Sequence, residues 1–286
     1  MSRGQPLSMH VRPRRSVLYM PGSNARALDK AKTLAADALI LDLEDSVAPD
    51  AKRAARAQVA AAAAGPDAIL VPKVSAPEDL IVVGRFVAEL GAPAGLEIWA
   101  MIETPLSVLQ AREIAAAARD PVTRLTVFVL GTNDLAKETR ARIVPGRLPI
   151  QGFLSIAVLS ARAYGIDVID GVFNDLDDAQ GFARECAEAR DLGFDGKTLI
   201  HPKQIEPCNA AFSPSQIEIA QAKKIVAAFE APENRDKGVI SLDGRMVERL
   251  HAEIARRTVA IAEAIAARDM GGATNDLKAK KRQETR

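Results

Sequence analysis

Residues 38–74 read ALILDLEDSVAPDAKRAARAQVAAAAAGPDAILVPKV. An apolar run drives into three acids, Asp42, Glu44 and Asp45, packed into four positions. An alanine-rich stretch follows, and a second apolar run (68–74) carries Lys73 near its end. Apolar runs without inside–outside alternation suit strands buried on both faces, and a helix between two of them makes the βαβ unit of a parallel sheet. The same pattern continues outward in both directions. Strand-like runs fall at SVLYMPG (16–22), EIWAMIET (97–104), LTVFVLGTND (125–134), IDVIDGVFND (166–175) and GKTLIHP (196–202). Amphipathic or alanine-dominated segments such as ARALDKAKTLAA and PLSVLQAREIAAAA lie among them.

Such a chain builds either an open doubly wound sheet or a closed (β/α)₈ barrel. The glycine-rich dinucleotide fingerprint is missing after the first run, which weakens the first option. Polar residues decide the matter, because they collect at the C-terminal ends of nearly every run: Asp42/Glu44/Asp45, Lys73, Glu103, Asn133/Asp134, Asn174/Asp175 and His201. A barrel gathers those ends on one rim, where its active site sits. The expected fold is therefore an α/β barrel of TIM (β/α)₈ type over residues 14–210. Residues 1–13 and 270–286 are polar or charge-rich and read as flexible tails.

Residues 211–269 read as a C-terminal helical and flap extension, packing on its own barrel or reaching a neighbour. SPSQ (213–216) offers Ser213 as an N-cap, with Pro214 in the first turn and Gln216 at the capping-box position. Ile225 and Phe229 share a helix face, and GVISLDGRMVE (238–248) carries the Asp-Gly turn of a β-hairpin. A last helix is expected over roughly 245–268, aligning Leu250, Ile254, Ile261 and Ile265.

Composition narrows the partners. Among 286 residues, 38 Lys and Arg nearly balance 37 Asp and Glu, so no global field favours nucleic acid or an anionic membrane. No apolar stretch approaches the ~20 residues of a membrane span, and the basic N-terminus lacks the apolar core of a secretory signal. Cys186 and Cys208 make no metal or redox spacing, so a reducing cytoplasmic setting is expected.

Several rim residues could do chemistry. Glu103 and Asp134 end consecutive runs, and their carboxylates could converge over the barrel mouth on a hard divalent ion such as Mg²⁺. Each could instead only cap the helix that follows; the set with Glu44 and Asp45 favours a metal site. Lys73 could be a Schiff-base nucleophile or a counter-charge to a substrate carboxylate or to the acids, and the counter-charge is the simpler reading. His201, before a proline, suits a turn better than acid–base work. PGSNARALDK (21–30) places Gly22, Ser23, Asn24, Arg26 and Lys30 at a helix start, a plausible phosphate grip or simply an exposed basic helix end.

Taken in order, YMPGSNARALDKA, LILDLEDSVAPDAK, ILVPKV, MIETP, GTNDLA and GKTLIHPKQI resemble the HpcH/HpaI aldolase family, in its citrate lyase β-subunit-like branch with malyl-CoA, citramalyl-CoA and β-methylmalyl-CoA lyases. The likeness spans about residues 14–266. It implies a barrel that binds Mg²⁺, with Mn²⁺ as the alternative, and a CoA thioester. The metal ligands would be Glu103 and Asp134, with Glu44 and Asp45 lining the metal's water shell, and Arg26 and Lys30 in the region that meets CoA. It also implies a homotrimer or hexamer in which a C-terminal flap covers the neighbour's site and brings in an aspartate from an Asp-Gly turn, here Asp243, for proton transfer. The expected reaction cleaves a 3-hydroxyacyl-CoA into an acyl-CoA and a 2-oxo acid. Thioester hydrolysis, Schiff-base aldol cleavage through Lys73, and a non-catalytic relative that keeps binding or assembly are the alternatives.

One departure stands out. In relatives, the second strand and its helix are followed by another strand ending in R-x-N, whose arginine faces the active site. Here one helix leads directly into AILVPKV, and no R-x-N occurs between residues 46 and 100. Seven strands are then available where a barrel takes eight, at ~30 residues per βα unit. The expectation is a barrel lacking about one unit, its third strand.

Overall fold

The structure is a computed structural model that describes residues 11–62 and 65–283, with side chains as far as residue 269. Contacts divide it into one unit spanning Arg14–Phe212 and a second that takes the residues from Ser213 onward.

The first unit alternates strands and helices. Its strands are β1 (Ser16–Pro21), β2 (Ala38–Asp42), β3 (Ala68–Val71), β4 (Glu97–Ile102), β5 (Leu125–Leu130), β6 (Asp167–Asp170) and β7 (Gly196–Leu199). Its α-helices are α1 (Ala25–Ala31), α2 (Lys52–Ala62), α3 (Pro77–Glu89), α4 (Pro105–Leu109), α5 (Ala111–Ala116), α6 (Thr132–Thr139), α7 (Gln151–Tyr164), α8 (Ala179–Leu192) and α9 (Ile205–Phe212). All strand pairings are parallel, in the order β2-β1-β7-β6-β5-β4-β3. The first strand pairs with the last, through Ser16–Lys197, Val17–Thr198 and Leu18–Leu199. An open doubly wound sheet does not fold back in this way; a barrel does. The chain is a nearly closed α/β barrel of TIM type whose consecutive strands pair everywhere except between β2 and β3.

That break is where the sequence lacks a βα unit. Among the described residues between Asp42 and Ala68 there is no strand, only a short 3₁₀ turn (Pro49–Ala51) and α2. Exposure records the missing neighbour. β5 and β7 are almost wholly buried, whereas every residue of β3 is half-buried and Leu39 of β2 is 37% exposed.

Alternation along the strands separates two apolar layers. Val17, Trp99, Val127, Val129 and Ile169 pack together inside the barrel with Ile40, Leu70 and Met101. Leu18, Ile98, Ala100, Ile102, Phe128, Leu130, Val168 and Leu199 face the helices. A polar cluster holds the strand N-termini: Arg14 pairs with Asp167 and with Glu97 (3.0 Å), and Glu97 also accepts from Trp99 Nε1 and Thr126 Oγ1 (both 2.9 Å). A second cluster lies between β6, β7 and α8. The fully buried Lys197 ammonium donates to Asp170 (2.7 Å), Glu185 (2.6 Å) and the Gly171 carbonyl (2.6 Å), while Arg147 also binds Asp170 (2.8 Å). Each charge is matched, as burial demands.

The second unit contains α10 (Gln216–Glu230), the antiparallel hairpin β8 (Val239–Leu242) and β9 (Arg245–Glu248), and α11 (Arg249–Gln283). Phe229, Ile240, Val247 and Ala252 form its core, with Ile225 packed against them. Three expectations shift here. The N-cap is Ser215, whose hydroxyl accepts from the Glu218 amide (3.2 Å) while Glu218 bonds back to the Ser215 amide (2.7 Å). A glutamate accepting in this reciprocal pair displaces Ser213 and Gln216 from the roles assigned to them. The last helix starts at Arg249 because residues 245–248 are claimed by the hairpin, and its buried positions are Ala252 and Ala255, with Leu250 and Ile254 exposed. It also runs on to Gln283, through most of the segment read as a loose tail; no proline interrupts it, and its Lys, Arg, Gln and Ala are good helix formers. Residues 1–10 and 284–286 of the expected tails lie outside the described residues.

Candidate active site

Each rim residue owes its position to a local device. Glu103 follows β4 and is 2% exposed. The next residue, Thr104, caps α4 by accepting from the Ser107 amide (3.0 Å), with Ser107 Oγ accepting in return from the Thr104 amide (2.9 Å). Glu103 is thus not that helix's cap, which removes the simplest structural role for it. Gly131 lines its carboxylate closely: a Cβ there would fall 2.4 Å from Glu103 Cβ and 2.7 Å from Oε2. Only glycine leaves room.

Asp134 belongs not to a strand end but to the first turn of α6, because β5 stops at Leu130 and Gly131 opens the helix. The helix N-terminus there favours its negative charge. Neighbouring Asn133 exchanges amide hydrogen bonds with Asn174 across two rim loops (2.8 and 3.3 Å), tying the loops after β5 and β6 together.

Lys73 lies beyond β3, with a left-handed backbone (φ 51°). Such a conformation costs a β-carbon residue about 1 kcal/mol or more, and here it aims two donors at one place. The Lys73 amide donates to Glu103 Oε1 (2.6 Å), and the ammonium donates to Asp134 Oδ1 (3.3 Å) while standing 3.8 Å from Glu103 Oε1. Glu103 and Asp134 are therefore within reach of a single cation. Burial pushes the Glu103 carboxyl above its usual range, against the opposing pull of the Lys73 amide and charge. Burial works against the Lys73 ammonium, but Glu103 and Asp134 outweigh it and raise its pKa.

The acids after β2 divide by role. Asp42 accepts from the amides of Glu44 (2.7 Å) and Ser46 (3.2 Å), so it shapes the turn. Lys52 donates to the Leu43 and Glu44 carbonyls (both 3.0 Å), fixing the same loop. Glu44 is half-buried and faces the cluster: burial first, then Asp45, raise its carboxyl, with Lys73 opposing. Asp45 is exposed. Among the described residues no three His, Cys, Asp or Glu are grouped to hold a metal. A divalent ion held here would take Glu103 and Asp134 and fill its shell with water and substrate oxygens, a donor set that suits Mg²⁺.

Of the proposed CoA-facing residues, Gly22 is buried where its amide donates to the Asp42 carbonyl (2.8 Å), and a Cβ would lie 2.6 Å from that oxygen. Asn24 caps α1 by accepting from the Ala27 amide (3.0 Å). Ser23, Arg26 and Lys30 are exposed. His201 caps the turn after β7, Nδ1 accepting from the Lys203 amide (3.1 Å), as its place before proline suggested. Asp243 sits in the second unit at the hairpin corner (φ 52°), and both its oxygens take the Lys224 ammonium (2.6 and 2.5 Å).

Sequence reading missed Tyr19. Its phenol lies against Met101 Sδ (4.0 Å) inside the barrel, and burial, followed by the charges of Asp42, Glu103, Glu44 and Asp134, drives its pKa far above normal. The signal was available: Val17 and Tyr19 share the inward face of β1, so a phenol two residues from the strand end points into the mouth.

This is a barrel whose strand-end rim brings a buried glutamate and a helix-start aspartate together about one lysine ammonium. The family model for HpcH/HpaI aldolase/citrate lyase matches residues 15–64 and 59–202, and one for C-C bond lyases of the TIM-barrel fold matches 149–266. The chain belongs to the HpcH/HpaI aldolase/citrate lyase family. It is 46% identical to (3S)-malyl-CoA thioesterase of Cereibacter sphaeroides, covering 91% of this chain and 99% of that one. It is 32% identical to citrate lyase subunit beta of Haemophilus influenzae, over 82% and 92%. Protein CitE of Mycobacterium tuberculosis, solved with magnesium, acetoacetate and coenzyme A, matches at 26% identity and TM-score 0.69, over 87% and 97%.

These matches also locate the deletion. The 292 aligned positions of the thioesterase exceed the roughly 260 residues of this chain that they cover, so about 30 positions have no counterpart here, the size of one βα unit. The family match breaks at residues 59–64, the junction between α2 and β3 where the barrel is open.

Proposed function

We propose that this protein is a Mg²⁺-dependent lyase that cleaves a 3-hydroxyacyl-CoA of the malyl-, citramalyl-, methylmalyl- or citryl-CoA class into an acyl-CoA and a 2-oxo acid. The observation that carries this reading is the convergence of Glu103 and Asp134 on one cation position in the family's barrel. Bound Mg²⁺ would supply Lewis acidity and a template for the oxo acid's oxygens.

The chain's own groups divide the remaining work. Glu103 and Asp134 would hold the ion and Glu44 would order water beside it, while Lys73 supplies positive charge at the rim. Cleavage removes the proton of the C3 hydroxyl, breaks the C2–C3 bond and leaves the electron pair on the thioester enolate, which is reprotonated at C2. Asp243 is the proton-transfer group, carried by a flap that reaches a neighbouring protomer of a trimer or hexamer. Arg26 and Lys30 meet the phosphates of CoA. The R-x-N motif that carries the family's arginine has no counterpart between residues 46 and 100, and loss of such a charge-stabilising group elsewhere costs about 10²-fold in rate. Slow turnover is the expected consequence.

Thioester hydrolysis is the second reading, favoured by the 46% identity to malyl-CoA thioesterases. One assay separates the two. Purified protein is incubated with each of the four thioesters, with and without Mg²⁺, and products are resolved by mass spectrometry. The lyase releases an acyl-CoA with its oxo acid; the thioesterase releases free CoA with the hydroxy acid. Glu103→Gln and Asp134→Asn are each expected to cut turnover by about 10²-fold or more. Full activity after chelation would sink the metal-dependent reading, and no turnover on any thioester would leave a non-catalytic relative.

A further inference from the structure

The cation position between the rim carboxylates has an internal occupant. Lys73 Nζ stands 3.3 Å from Asp134 Oδ1 and 3.8 Å from Glu103 Oε1. The same two groups are the ones proposed to hold the divalent ion. We propose that Lys73 is a built-in competitor for this site: its ammonium neutralises Glu103 and Asp134 when no metal is bound, and metal entry displaces it. The inference rests on the metal-site reading above and concerns how that site is occupied.

Three features of the chain support it. Glu103 is only 2% exposed, and a buried carboxylate needs a counter-charge whether or not metal is present. The Lys73 side chain, by contrast, is half exposed, so the ammonium can swing into solvent without a large desolvation penalty or any backbone movement. Finally, its two donors are separable. The backbone amide bonds Glu103 Oε1 at 2.6 Å through the left-handed turn, and that bond survives when the ammonium leaves. The amide positions the carboxylate in both states, while the ammonium fills the gap in one of them.

Lys73 also lies at the exit of β3, the strand bordering the open seam. With the preceding βα unit absent, no described strand pairs with the far side of β3. Displacement of an ammonium, rather than loss of a proton, becomes the main event that accompanies metal uptake.

The test is calorimetric titration of Mg²⁺, and of Mn²⁺ as a tighter probe, into the full-length protein and its Lys73→Met and Lys73→Asn variants, with no thioester present. Asparagine tolerates the left-handed backbone, so it controls for strain at that turn. Both variants are expected to bind the ion about tenfold more tightly than the parent, the worth of one charge-assisted contact removed from competition. Thermal melts run alongside: without metal the variants melt lower than the parent, and added Mg²⁺ raises their Tm more than it raises the parent's. Equal or weaker binding by both variants would overturn the competition while leaving the metal site intact. Absence of binding by parent and variants alike would overturn the metal site and this inference with it.

Discussion

Strands β5 and β3 are built from the same kind of residue and live in different surroundings. LTVFVL in β5 has neighbours on both sides and is buried along nearly its whole length. AILV in β3 has β4 on one side and the seam on the other, and all four residues are half-buried. An apolar strand in a parallel barrel assumes two neighbours and two covered faces. Where a βα unit is deleted, the sequence of the flanking strand stays that of an interior strand while its surroundings become those of an edge. The same holds for β2, whose Leu39 is 37% exposed. The closed side carries the stability and the open side tolerates the loss, which is how a barrel can survive the removal of one unit.

Stability measurements can break this contrast. Phe128, fully buried in β5, is expected to cost about 3–5 kcal/mol on substitution by alanine. Leu70→Ala in β3 is expected to cost only about 1–2 kcal/mol, since that side chain is only partly buried. Chemical denaturation of both variants would show it. Equal penalties would mean that the seam is covered in solution, by another chain or by a rearranged α2.

Charge repeats the contrast. On the closed side Lys197, Asp170, Glu185 and Arg147 form a buried network, and Asp170→Asn is expected to cost about 3 kcal/mol by leaving cations without their full complement. At the rim the charges are fewer and partly solvated, and Lys73→Met in the metal-free protein is expected to cost about 1 kcal/mol or less. Hydrogen exchange sharpens the comparison without mutation. Amides of β2 and β3 are expected to exchange about tenfold or more faster than those of β5, because they open without disturbing the rest of the barrel. Matching protection across all three strands would contradict an open seam.

Much of this was legible in the residues. The seven strands of the first unit, the parallel sheet and the rim of polar strand ends follow from where apolar runs start and what ends them, and the place of the missing unit follows from setting the short stretch between Asp50 and Ala68 beside the family pattern. Glu103 and Asp134 were visible as an acid pair because they end consecutive apolar runs on the same rim as Glu44 and Asp45, although either alone could have been a helix cap. What escaped reading depends on backbone geometry. The left-handed turn at Lys73, which aims amide and ammonium at one carboxylate, has no signature in ILVPKV. Asp134 was placed on a strand because nothing in LGTND marks the residue at which strand gives way to helix. The Ser215 cap was misplaced by two positions because serine–proline–serine offers two candidate caps, and only the partner glutamate decides between them.

The response to pH is the most discriminating, because two buried carboxylates should respond with opposite signs. Lys197 and Arg147 hold Asp170 below the ordinary carboxylate range although burial alone would raise it. A lowered folded pKa adds stability that is present above the unfolded value, about 3.9, and is lost as pH falls through the folded one. Glu103 is shifted the other way, chiefly by burial. A raised folded pKa adds stability that is full below the unfolded value and is lost as pH rises through the folded one. In metal-free protein, Asp170→Asn should therefore lower Tm near neutral pH by an amount that shrinks in acid. Glu103→Gln should raise Tm slightly near neutral pH, and that gain should also fade in acid. Saturating Mg²⁺ should reverse only the second comparison, because it stabilises the parent carboxylate and not the amide. If both variants melted below the parent at every pH without metal, Glu103 would be a structural carboxylate like Asp170, and the rim would have no need of a metal.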